Sequence, residues 1–168
     1  GAGGLVVDVR NLYTTTVVGD GAVLTANGDI NLTSSAQGKQ ATVAGKLPVY
    51  LTLSFPPYQS SLSADNGYGA SLIVGKKSLN TVTYVGAATL NAHGLHVDAT
   101  GDAFMLEMSL GSIFGASGNA AQGSVNIILE DKMTVSEISG GATVTLTGDS
   151  QTSHKGSVTA TDKSTLLN

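Results

Sequence analysis

Ala22-Val23-Leu24-Thr25-Ala26-Asn27-Gly28, Ala88-Thr89-Leu90-Asn91-Ala92-His93-Gly94 and Ala142-Thr143-Val144-Thr145-Leu146-Thr147-Gly148 share one frame, Ala-x-apolar-polar-apolar-x-Gly. The copies begin at positions 22, 88 and 142, which sets offsets of 66 and 54 residues. Segments upstream follow the same spacing. Thr81-Val82-Thr83-Tyr84-Val85-Gly86 precedes the second copy much as Thr15-Thr16-Val17-Val18-Gly19 precedes the first, and Leu5, Val7 and Val9 match Val125, Ile127 and Leu129 at 120, the sum of the two offsets. Period-2 alternation bounded by Gly, Asn and Asp marks strands joined by tight turns. Repetition at a fixed spacing marks a stack rather than a side-by-side arrangement.

These patterns predict an all-β chain wound as a parallel β-helix, with a β-sandwich as the alternative because its strands also alternate and turn often. In the stacked arrangement Leu24, Leu90 and Val144 point inward, while Thr25, Asn91 and Thr145 face water. A β-solenoid coil uses about 20 residues, so each offset has room for two to three coils. One domain spans residues 1–168.

Two stretches depart from the frame, 46–68 and 103–119, and together they hold six of the eight aromatic residues. Phe55-Pro56-Pro57-Tyr58 reads as a projecting loop, because proline cannot donate to a strand ladder. Aromatic residues on loops held by a rigid scaffold are favoured binding positions, so Tyr50, Phe55, Tyr58 and Tyr68 are the candidate ligand contacts. The bland reading is that the two stretches cap the core or cover an edge. Within the second, Ala103 to Gly115 has the one apolar spacing compatible with a short amphipathic helix.

Composition fits this class. Charged residues are 12%, Gly is 22 of 168, and Ser and Thr number 18 and 19, which predicts a turn-rich body with a hydroxyl-rich exterior. Net charge is −4, and Lys76-Lys77 is the sole adjacent basic pair, so nucleic acid is not an expected partner. No apolar run has the length of a membrane span, and Gly1-Ala2-Gly3-Gly4 does not resemble a secretory leader. The expectation is a soluble piece of a longer chain. Absence of cysteine removes disulfides and thiolate metal sites.

Chemistry-bearing motifs are sparse. His93, His96 and Asp98 are the nearest approach to a metal cluster, but His93 falls in a turn, and no metal or cofactor is expected. Gly19-Asp20-Gly21, Asn27-Gly28-Asp29 and Gly101-Asp102 lack the nonapeptide period of calcium-binding repeats and read as turns. Neither a phosphate-binding loop nor Gly-x-Ser-x-Gly is present. Polysaccharide-degrading enzymes also use β-helices, and they gather several ionisable groups on one face. Here Glu130-Asp131 is the one acidic pair, and Lys132 beside it reads as a solvated edge; Arg10 lies just beyond the Leu5 to Val9 alternation. No catalytic residue is assigned. Asn31-Leu32-Thr33 fits a glycosylation tripeptide but sits in an alternating strand, and no role is given to it.

Val17-Val18-Gly19-Asp20-Gly21-Ala22-Val23-Leu24-Thr25-Ala26-Asn27-Gly28-Asp29-Ile30-Asn31-Leu32-Thr33 resembles the repeats of filamentous haemagglutinin-like adhesins, large two-partner-secreted or leukotoxin-like filamentous bacterial exoproteins. The resemblance covers roughly half the chain. It implies a right-handed parallel β-helix within a secreted or cell-surface fibre acting in adhesion or display. The implied partner is a host or neighbouring-cell surface protein or glycan; a purely structural spacer or filament subunit is the alternative. Unpaired strand edges at solenoid ends add self-association as a further expectation. Departures from the repeat include a residue lost at Val85-Gly86-Ala87-Ala88, and apolar positions Leu95, Val97 and Ala99 that fall out of phase with Ile30 and Leu32 by simple count.

Overall fold

Residues 2–45, 69–110, 122–148 and 156–167 are described by a computed structural model. They form nine strands and no helix: β1 (Ala2–Val18), β2 (Val23–Thr25), β3 (Ile30–Gly45), β4 (Gly69–Val85), β5 (Thr89–Ala92), β6 (Leu95–Leu110), β7 (Gln122–Ile138), β8 (Thr143–Leu146) and β9 (Gly156–Leu167). Each third of the chain gives one strand to each of three sheets, ordered β1-β4-β7, β2-β5-β8 and β3-β6-β9. All six pairings are parallel. The chain is a parallel β-helix of three coils, and parallel pairing excludes the antiparallel β-sandwich.

The repeat spacing is the physical register. Leu24 pairs with Leu90 and Leu90 with Val144, reproducing the offsets of 66 and 54. Leu5 pairs with Leu72, which pairs with Val125. Each offset holds one coil, not two or three. The reason is strand length: β1, β4 and β7 have 17 residues each and β3 and β6 have 16, against a usual five or six. Turn length absorbs the apparent phase error of the second copy. Ile30 pairs with Leu95 and Leu32 with Val97, because His93-Gly94 replaces Asn27-Gly28-Asp29 with one residue fewer.

No helix forms at Ala103. Residues 103–110 continue β6, whose Ala103, Met105 and Glu107 face inward and whose Phe104, Leu106 and Met108 are half-buried on the other side. Pairing with β3 on one edge and β9 on the other overrides a weak helical spacing. This also removes 103–110 from the expected insertion, while 111–119 and 46–68 lie outside the described residues.

β3 lies opposite β1 and β6 opposite β4, and the space between them holds separate apolar clusters with polar residues between. Val18, Val85, Leu90, Leu95 and Val97 form the main core cluster at the β2-β5-β8 corner, with Leu24 packed against it. Leu95, Val97 and Ala99 are buried, as their inward phase predicts. Ala36, Leu79 and Ala103 form a second cluster midway, and Val6, Ala44 and Ile73 a third at the far end. Between the last two lie fully buried Lys77 and Glu107. Both rely on glycine opposite: a Cβ on Gly38 would collide with Lys77, and one on Gly75 with Glu107.

Candidate functional site

The turn after β1 shows what the Gly and Asp residues do. Asp20 Oδ1 accepts the Ala87 amide at 2.7 Å, the Gly21 amide donates to the Ala87 carbonyl at 2.9 Å, and the Gly86 amide donates to the Val18 carbonyl at 2.8 Å. Asp20 therefore ties the first coil to the second through its turn. His96 Nδ1 lies 2.8 Å from Ser157 Oγ, and the His93 amide donates to the Gly28 carbonyl at 3.0 Å. Among the described residues no group of three His, Cys, Asp or Glu side chains is placed to hold a metal.

Several charged groups lie inside the coils. Arg10, Lys77 and Glu130 stack in register through β1, β4 and β7, all on the inward side. Arg10 Nε pairs with Asp8 Oδ1 at 3.2 Å. Lys77 Nζ donates to the Gly38 carbonyl and, at 3.3 Å, to the Phe104 carbonyl, so the opposite sheet solvates this ammonium with backbone oxygens. Burial pushes the Lys77 ammonium below its ordinary value of 10.5, with Glu130 opposing and Arg10 assisting that shift. Burial likewise pushes the Glu107 carboxyl above 4.5, and the nearby Asp8 charge acts in the same direction. Lys132 pairs with Asp162 across the third coil, and Ser164 donates to Glu130. Glu130 and Lys132 are thus interior groups, not a solvated edge; Asp131 between them is the exposed member. Other ionisable groups lie outward, among them Lys39, Lys76, Asp131, Glu137 and Lys163.

The exterior of the β1-β4-β7 sheet is the reverse. Register aligns Leu5-Leu72-Val125 and Val7-Val74-Ile127 in rows across the three strands, followed by Val9-Lys76-Leu129 and Tyr13-Asn80-Met133. Leu5 is 65% exposed, Val7 57% and Leu129 51%. A shallow groove of about 570 Å³ runs across the first of these rows, floored by Leu5, Leu72 and Val125 and bordered by Gly4, Ala70 and Gly123. The local cause is the runs Leu5-Val6-Val7, Leu72-Ile73-Val74 and Ile127-Ile128-Leu129, which are apolar on both faces of the strand. Strands of that kind in parallel sheets are ordinarily covered on both sides. The hydroxyl-rich exterior expected from composition is therefore absent from this face, and Ser34, Thr42, Thr81 and Thr83 are buried instead.

Tyr50, Phe55, Tyr58 and Tyr68 lie outside the described residues. The apolar face was not singled out by the alternation alone, since Leu5, Val7 and Val9 look like the core-facing set of a half-buried strand. The available signal was parity: Val6, Asp8 and Arg10 fall on the side that carries Val18 toward the core. Among the described residues no helix is long and apolar enough to cross a membrane. Comparison with protein-family models, with curated proteins and with solved structures finds no match to this chain.

Proposed function

We propose that this chain is a non-enzymatic section of a bacterial surface or secreted fibre, serving adhesion or display. The observation that carries the reading is an apolar face that no other described residue covers, on a stack of long, parallel, in-register strands. Such a face is stabilised by contact with a partner, and a repetitive scaffold presents it over an extended length. The partner is a host or neighbouring-cell surface protein or glycan. Contact is made by the rows around Leu5, Val7 and Ile127, with Tyr50, Phe55, Tyr58 and Tyr68 as a second set of contacts contributed by the 46–68 stretch. A spacer role is the competing reading, favoured by the repeated register, which would make the coils a rod that positions another domain.

Fluorescently labelled chain applied to cell and glycan panels separates the two. Adhesion predicts saturable binding that drops about tenfold or more for a Val7→Asp, Ile127→Asp variant or for a Phe55→Ala, Tyr58→Ala variant, since loss of a central anchor costs more than 1.4 kcal/mol. Binding that neither variant reduces, or no saturable binding on any panel, would leave the spacer reading standing.

A further inference from the structure

We propose that Asp8, Gln40, Thr42 and Glu107 form a calcium site in the interior, between β1 and β4 on one side and β3 and β6 on the other. The starting point is a set of buried polar atoms with nothing to bond. Glu107 is 0% exposed, and among the described residues neither of its carboxylate oxygens has a hydrogen-bond partner. Gln40 is 1% exposed and Thr42 3%, and among the same residues the Gln40 amide oxygen and nitrogen and the Thr42 hydroxyl are also unpartnered. An enclosed carboxylate is costly unless it is hydrogen-bonded, paired or bound to a metal. The buried ammonium of Lys77 does not serve it, because Lys77 Nζ donates to the Gly38 and Phe104 carbonyls.

The fold brings these residues to one place. Thr42 is the register partner of Glu107 on the adjacent strand, about 4.8 Å away, and both face inward, Thr42 with Ala44 and Glu107 with Ala103. Gln40 stands two residues before Thr42 on the same side of β3. From the facing sheet the approach is open because Gly75 has no side chain, and Glu107 Oε1 lies in the space that a Cβ there would take. Asp8 is the register partner of Gly75 on β1, so its carboxylate adjoins that of Glu107. Arg10 Nε engages Asp8 Oδ1 and leaves Oδ2 for a second partner. Burial first, and then the Asp8 charge, raise the Glu107 carboxyl above 4.5 in the metal-free chain; a divalent cation between the two carboxylates turns that repulsion into attraction. The donor set selects the ion. Its donor atoms are all oxygens, without the nitrogen or sulfur that zinc prefers. A chelating Glu107 with one oxygen each from Asp8, Thr42 and Gln40 falls about one carbonyl or water short of the six to eight oxygens that calcium takes, whereas magnesium keeps several waters.

To test this, the full chain is stripped with EDTA, returned to buffer and melted at matched ionic strength with calcium, magnesium or sodium chloride. Equilibrium dialysis against radioactive calcium measures binding. Calcium should raise the Tm by about 5–10 °C at a concentration about 100-fold above its Kd, with magnesium and sodium giving distinctly less. Glu107→Gln and Thr42→Val should each weaken calcium binding about tenfold or more. In EDTA at neutral pH both variants should melt no lower than the parent, since each removes an unpartnered buried group. Asp131→Asn, on the outer face, should bind calcium as the parent does. Thr42→Val changes no charge and decides the matter if Glu107→Gln fails to fold. Equal shifts with magnesium and calcium would mark a general salt effect and overturn the site. So would the absence of bound calcium at millimolar concentration, or undiminished binding by whichever variant folds, which would place the ion on exposed acids instead.

Discussion

Thr81 and Thr83 stand two positions apart on β4, face the same interior and are both fully buried, yet they differ in hydrogen bonding. Thr83 Oγ1 donates to the Asp98 carbonyl at 2.7 Å and accepts from Ser34 Oγ at the same distance. Among the described residues Thr81 Oγ1 has no hydrogen-bond partner. Replacing Thr83 by Val strands a carbonyl and a hydroxyl in the interior and should cost about 1–3 kcal/mol, whereas Thr81→Val removes an unpaired group and should be neutral or stabilising. Urea denaturation of the two variants checks the difference; equal losses would contradict the described packing. At this scale the sequence was legible in part. Parity along β4 places both threonines on the side of Ile73 and Val85, but which of them finds a partner depends on Ser34 and on β6 crossing the interior.

Elements were read more reliably than their lengths. The three Ala-x-apolar-polar-apolar-x-Gly copies are the short strands β2, β5 and β8 with their turns, and the offsets between them are the pairing registers. Strand length was hidden because β1, β4 and β7 carry Asp8-Val9-Arg10, Lys76-Lys77 and Glu130-Asp131-Lys132 at mid-strand, where polar residues ordinarily signal a turn. Stacking order gives a test at this level. Leu90→Ala in the middle coil should cost about 2–5 kcal/mol, the range for truncating an enclosed leucine. Leu24→Ala and Val144→Ala, in the same column but on the end coils, should cost distinctly less. Denaturation midpoints that rank Leu24 or Val144 above Leu90 would place the coils in a different order.

Across the described coils polarity is partly inverted, with Lys77 and Glu107 enclosed between the sheets and apolar rows outside on β1-β4-β7. The enclosed charges make stability depend on pH. Because the Glu107 carboxyl is raised above 4.5 in the folded chain, the native state holds its proton over a range where the unfolded chain has lost it. Its contribution is fully present below 4.5 and is lost as pH rises through the folded value. Lys77, held below 10.5, acts in the other direction, its penalty easing as pH climbs from its folded value toward 10.5. A Glu107→Gln chain should therefore match the parent below 4.5 and exceed it at neutral pH, a difference read from urea midpoints at the two conditions. Identical pH profiles would show that Glu107 is solvated.

The repeat by itself pointed to the all-β stack and to the register of the Leu24-Leu90-Val144 column and of Leu5 with Val125, because a parallel stack requires equivalent positions to lie one above another; the register of β3 with β6 it misjudged. It also placed Leu90, Leu95, Val97 and Ala99 in the core. Tertiary structure alone decided that one coil fills each offset, that Ala103 to Leu110 is strand, and which face of β1-β4-β7 turns inward. Those outcomes depend on what lies opposite: Gly38 and Gly75 leave room for Lys77 and Glu107, and Ala36 and Ala103 leave room for Leu79. No single strand carries that information, since Leu5-Val6-Val7 is apolar on both sides and its orientation is settled by the sheet across the interior.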